Sequence, residues 1–163
     1  MEELAVRHLY AADYEVSRSW QLVKWCLKQG ADEWTISQRP DRRYRSGFLP
    51  RFEEATALYH LSPAERRQLT AKTEYLFIRS TPLWRLNSAS LAVLQEFLPE
   101  GLFSSPGGRG SILEDPTFYR KGKFMLGVVS HENEGIVHVS ARECDLLTAE
   151  GFVLRPFGAM VGY

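Results

Sequence analysis

Residues Asp13 to Gly30, DYEVSRSWQLVKWCLKQG, place the strongest local constraint on how this chain can fold. Val16, Trp20, Val23 and Leu27 recur at helical spacing, so a helix here carries an apolar face that has to be buried. Asp13 is placed to cap its start, Lys24 and Lys28 suit its negative end, and Gly30 is a natural stop. Leu22, Trp25 and Cys26 widen the stripe beyond one narrow seam. A stripe that wide implies a deeply seated helix or one that also touches a partner, and Trp25 is the residue this reading assigns to protein contact.

A different period governs the C-terminal part. KFMLGVVSHENEGIVHVS supplies two β-rich runs around a turn. SARECDLLTAEG follows as a short helix with Ser140 and Glu143 as a capping box, and FVLRPFG reads as a last strand. In the N-terminal part, EWTIS at 33–37 is a strand pattern and RFEEATALYH a short helix. LSPAERRQLT starts a helix with Ser62 as cap, Pro63 at the first helical position and Glu65 three residues after the cap. EYLFI, further on, fits helix or strand equally. Ser88 to Leu98 is a further helix closed by Pro99 and Gly101. The stretch 103–116, with three glycines, two prolines and three serines, reads as a long mobile connection.

These elements predict an α+β fold: N-terminal helices packed on a small, mainly antiparallel sheet completed by a C-terminal hairpin, a short helix and a last strand. At 163 residues a chain buries roughly 70% of its unfolded surface, so a single domain spanning 1–163 needs neither disulfide nor metal for stability. No cofactor is expected. The 20 basic and 20 acidic side chains cancel, which removes any global attraction to nucleic acid or anionic membrane. MEELAVRHLY lacks the regions of a secretory signal, and no apolar run approaches the ~20 residues of a membrane span. A soluble cytoplasmic protein without membrane contact is the expectation. In a reducing compartment Cys26 and Cys144 are small buried hydrophobes.

Within VVSHENEGIVHV, two histidines and two glutamates fall between His131 and His138. Side chains alternate faces along a strand, so loop length decides whether the histidines meet. A four-residue loop over Glu132 to Gly135 pairs His131 with Ile136 and puts both rings on one face, about 7 Å apart by Cα. A three-residue loop over Asn133 to Gly135 pairs His131 with Val137 and turns the rings apart. Gly135 stands where the helical zinc-protease signature needs its second histidine, so that chemistry is excluded and no metal is assigned. His131 with Glu132 remains a candidate acid/base pair, since imidazole titrates near neutrality and a carboxylate can hold its tautomer.

RPDRRYRSGFLPR, residues 39–51, has two prolines, one glycine, no helical period, and five arginines against one acid. Arg39, Arg42, Arg43, Arg45 and Arg51 can present guanidinium forks to phosphate, with Tyr44 available to stack on a base. SSPGGRGS at 104–111 lacks the GxxxxGK[ST] order of a phosphate loop, and Arg109 is its one anion-binding residue.

Three functions follow as expectations. The first is a non-enzymatic binding or adaptor module acting through protein contact. The second is a small hydrolase or transferase using His131 and Glu132, with Arg109 or Arg120 holding an anionic group. The third is nucleic-acid or phosphate-ligand binding through the arginine loop. The third function carries its own test, because phosphate contacts release counterions: affinity for an oligonucleotide should fall steeply between about 50 and about 200 mM salt. An affinity unchanged over that range removes the loop from consideration.

Overall fold

A computed structural model describes residues 3–38, 47–71, 82–104 and 113–157. In chain order the elements are β1 (Leu4–Tyr10), α1 (Val16–Lys28), β2 (Glu33–Gln38), α2 (Phe48–Thr56), α3 (Pro63–Ala71) and β3 (Trp84–Arg85). They continue with α4 (Ser88–Phe97), β4 (Leu113–Arg120), β5 (Lys123–Val129), β6 (Glu134–Ser140), α5 (Ala141–Ala149) and β7 (Arg155–Pro156). The strands form one seven-stranded sheet in the order β3-β2-β4-β5-β6-β1-β7, antiparallel at every pairing. The fold is α+β.

The apolar stripe of α1 forms in its middle turns, where Trp20 and Val23 are buried, while Leu27 is half-buried and Val16, at the first helical position, is 46% exposed. Leu22, Val23 and Cys26 are completely buried in the same cluster as Leu126, Val137, Val139 and Phe118 from the sheet. Beyond them Trp34 of β2 stacks on Trp84 of β3 at 4.6 Å, and Phe52 of α2 meets both rings edge-on. Edge-to-face and offset stacks of this kind add to the area the rings bury. Gly30 ends the helix with φ of +96°, a backbone that a side chain resists.

Opposite this core, Tyr119 and Leu83 form a second small buried cluster with Leu61 and Phe124 packed against it. Phe124 reaches that face because of a register shift: Phe118 pairs with Leu126 but Tyr119 pairs with Phe124, leaving one extra residue in β5. An extra residue inverts parity, so Phe124 leaves the side of Leu126 and joins Tyr119 and His138. Its ring lies over Gly127, where a Cβ would meet ring carbons at 2.6 and 2.8 Å.

Several boundaries differ from expectation. Asp13 does not cap α1; Glu15 holds that position without a side-chain bond, and the Asp13 carboxylate instead takes two bonds from Arg155 at 2.9 and 3.0 Å. Phe48 to Arg51 belong to α2 rather than to a loop, and Pro50 is tolerated there because first-turn N–H groups have no helical partner. Leu113 to Pro116, assigned to the connection, begin β4. The last strand shrinks to Arg155–Pro156, and β1 and β3 carry no alternation strong enough to have announced them. EYLFI and residues 105–112 lie outside the described residues.

Neither hairpin geometry weighed for His131 and His138 occurs. The loop is Ser130 to Asn133, with Val129 pairing Glu134. It starts early because Ser130 and Asp115 clasp each other: Ser130 N–H donates to Asp115 Oδ1 at 2.7 Å, and Asp115 N–H to Ser130 Oγ at 3.0 Å. Asn133, not Gly135, supplies the left-handed residue with φ of +55°. Gly135 lies within β6, where a Cβ would come within 3.0 Å of the Gly127 carbonyl oxygen. His131 therefore sits in the loop, and His138 lies four residues into the strand, about 14 Å beyond its start.

Trp25 is 5% exposed and belongs to the core cluster, so the protein contact expected of it has almost no side-chain area to act through. Trp25→Ala is expected to lower the unfolding free energy by about 3–5 kcal/mol in a urea titration. A variant as stable as the parent would place that ring at the surface after all.

Candidate functional site

The turn between β4 and β5 organises the polar chemistry of the molecule. Lys121 and Gly122 both have positive φ, +50° and +76°, the signature of the two-residue turn whose twist matches a hairpin. Arg120 and Lys123 flank it as the last paired residues. The Lys121 N–H donates to Asp32 Oδ1 at 3.0 Å, which ties this turn to the connection between α1 and β2. Two clefts open here, and Lys121 lines both.

The larger, about 870 Å³, is within the usual range for ligand sites. Arg120, Lys121 and Lys123 supply its positive side, and Leu4 with Phe124 its apolar surface. Gln29 and Gly30, at the end of α1, close one wall, and Glu3 is the single acid among the described lining residues. Arg120 is already engaged: it donates to Glu143 at 2.5 and 3.3 Å and to the Gln29 carbonyl at 3.2 Å. Its hydrogen bonds to Glu143 hold the guanidinium above its ordinary pKa. Burial by itself would raise the Glu143 carboxyl, but Arg120 and the Ser140 N–H more than offset it and keep the group below the usual range. The Ser140 and Glu143 capping box read from the sequence forms, at 2.9 and 3.2 Å. His138 packs edge-on against Phe124 at 4.8 Å, and burial lowers its pKa, so its ring is neutral at pH 7.

The smaller cleft, about 520 Å³, has the opposite character. Asp32, Glu33 and Glu65 line it, with Arg85 across from them. Glu65 is committed to the α3 capping box with Ser62 and to an ion pair with Arg85. Glu33 is different. Its pKa is pushed up to about 9 by burial first, then by a hydrogen bond to Asp32 and by the charge of that neighbour. Glu33 therefore keeps its proton near neutrality. Sequence alone assigned Asp32 and Glu33 no site role; adjacent acids at the start of a strand were the available signal, but nothing in sequence reports the burial of Glu33.

Of the candidate site residues singled out by sequence, Arg120 and His138 line the larger cleft. His131 and Glu132 face one another at 3.7 Å but are 65% and 56% exposed and line neither cleft, so they do not converge with Arg120. A second histidine–carboxylate pair, His8 with Glu134 at 3.9 Å, was not singled out and arises only because β1 and β6 are neighbours. Arg39, Arg42, Arg43, Arg45 and Arg109 lie outside the described residues, while Arg51 is exposed on α2 and donates to the Gly47 carbonyl at 3.3 Å. Cys26 is a buried thiol with its pKa pushed up to about 12, far from a reactive thiolate, and Cys144 is free and half-buried. Among the described residues no group of three or more His, Cys, Asp and Glu side chains is arranged to hold a metal ion, and no helix is long and apolar enough to cross a membrane.

No protein-family model, curated protein or solved structure matches the chain. The chemistry of the clefts has to be understood from their own residues.

Glu33 generates a pH dependence of stability. Its folded pKa of about 9 lies above the ordinary 4.5, so between those values the folded state keeps a proton that the unfolded chain has released. The stability it supports is full below about pH 4.5 and is lost as pH rises towards 9. Glu33→Gln keeps a neutral donor at every pH. The variant is expected to match the parent at about pH 5 and exceed it by about 1–2 kcal/mol near pH 9, a figure discounted for partial solvation. Urea titrations at both pH values check this; a difference that does not change with pH would mean that Glu33 titrates normally.

Proposed function

We propose that this protein is a binding module, and that its ligand occupies the paired clefts on either side of the Lys121–Gly122 turn. The observation that carries the reading is that one turn residue, Lys121, borders a basic cleft with an apolar wall and an acidic cleft at once. Neighbouring pockets of opposite charge set the orientation of a partner better than they accelerate a reaction, since complementary potentials steer and register an encounter. Arg120, tied to Glu143 and to the Gln29 carbonyl, fixes the wall of the larger cleft, so the cleft loses little freedom when a ligand arrives.

Acid/base catalysis is the second reading, and it now draws its support from Glu33 rather than His131. A carboxyl that keeps its proton near neutrality in a cleft can act as a general acid. The hydrolase or transferase version with His131 and Glu132 would need both side chains to reach a ligand from an exposed loop. Phosphate or nucleic-acid binding through the arginine loop remains a separate proposal, tied to the salt series.

Amide chemical shifts recorded during titration with short peptides of varied charge distinguish the two leading readings. Binding predicts saturable shifts at Gly30, Lys121, Lys123, Phe124 and His138, with the peptide recovered intact. Time-dependent conversion of the peptide that Glu33→Gln abolishes would replace the binding reading with the catalytic one.

A further inference from the structure

The basic cleft can be assigned a partner from its charge and shape. We propose that it receives an extended acidic segment of a partner protein, with carboxylates on Lys121 and Lys123 and an apolar side chain against Leu4 and Phe124; this rests on the binding-module reading and names its ligand class. Lys121 and Lys123 are both exposed, and neither ammonium has a hydrogen-bond or ion-pair partner among the described residues. The third cation, Arg120, has its charge matched by Glu143. Among the described residues the lysine and arginine charges left to a ligand are therefore two lysines, one within a tight turn and one directly after it, on flexible stems.

That spacing suits carboxylates presented along a chain better than one compact anion. A free phosphate is held by converging donors, typically an arginine fork or a nest of backbone N–H groups. Here the Arg120 fork is taken by Glu143, its Nη1 also serves the Gln29 carbonyl, and the Gly30 N–H is spent on the Leu27 carbonyl at 3.1 Å. The apolar surface points the same way. Leu4 is 42% exposed, and Phe124, half-buried, presents a ring beside the neutral His138. A ligand that is only charge would leave those carbons in water, whereas a peptide side chain covers them.

The strand geometry accommodates an extended segment. Of β1, the neighbouring β7 pairs only Arg7 and His8, so among the described residues Leu4, Ala5 and Val6 have no strand on that side. Leu4 borders the cleft, which makes the open stretch of β1 continuous with it. Strand addition at such an edge supplies main-chain hydrogen bonds, and the pocket beside it supplies selectivity.

Fluorescence anisotropy with three labelled octapeptides tests this: an acidic one rich in Asp and Glu around one Leu, the same peptide with Asn and Gln, and one with Lys. The acidic peptide should bind saturably and move the amide signals of Lys123, Phe124 and His138. Its affinity should fall as salt rises, and Lys121→Glu with Lys123→Glu together should weaken it by roughly a hundredfold, about tenfold for each reversed charge. If the double reversal perturbs folding, Lys121→Gln with Lys123→Gln removes the charges and should still weaken binding by roughly tenfold. Equal binding of the neutral peptide at the same residues would keep the binding module and overturn its acidic partner. Inorganic phosphate displacing the peptide at millimolar concentration or below would overturn the polypeptide in favour of a small anion. If no peptide moves any cleft residue, both the segment and the binding-module reading fall.

Discussion

Dry contact between α1 and one face of the sheet is the condition on which the rest of the molecule stands. Leu22, Val23 and Cys26 are fully removed from water, as are Phe118, Leu126, Val137 and Val139 of the sheet in the same cluster. Burial at roughly 25 cal/mol per Å² of apolar surface makes such a contact the dominant favourable contribution, and the interior it creates tolerates little change in shape. The contact also sets the position of the helix end. With α1 held there, Gly30 turns left-handed, and a Cβ on it would lie 3.7 Å from Arg120 Cδ. The wall of the larger cleft is thus a by-product of helix packing.

Irregularities in the strands do the rest. The extra residue in β5 sends Phe124 to the face of His138, and without it the cleft would lose its aromatic surface. In β4 the register against β2 shifts between Thr35 and Ser37, close to Asp115, whose φ is +58°. Asp115 then clasps Ser130 and fixes the loop of the next hairpin. Bulges of this sort redirect side chains locally while leaving the ladder on either side intact. They explain how one sheet can support both a closed core and a polar, partly open face.

Charge at the cleft is divided between groups that are already satisfied and groups that are not. Arg120 and Glu143 satisfy one another, and Glu143 also closes the capping box of α5, so the pair belongs to the scaffold. Glu65 serves α3 and Arg85 in the same double fashion. Among the described residues the Lys121 and Lys123 ammonium groups have no such duty, and Glu33 retains a proton because burial and Asp32 together oppose its ionisation. Opposite tendencies within one connected surface give it polarity, which is what recognition of an oriented partner needs.

Local features were legible wherever a residue type has one physical use. The stripe of α1, the Ser62 and Ser140 capping boxes, the strand at Glu33 and the paired runs around residue 130 could all be read from spacing and cap chemistry alone. Strands β1 and β3 escaped because their pairing, not their pattern, makes them strands: β1 is held by β6 and β7 from the far end of the chain. The same holds for the site. Its residues come from the end of α1, the β4–β5 turn, β1 and β6, and no sequence window contains them together. His131 with Glu132 stood out because they are adjacent in sequence, yet adjacency left them in an exposed loop. The sequence by itself determined the α+β class and most of the helices, because periodicity and caps act over a few residues. Only the tertiary structure decided which charges converge, because burial, parity and ion pairing depend on neighbours that chain order does not reveal.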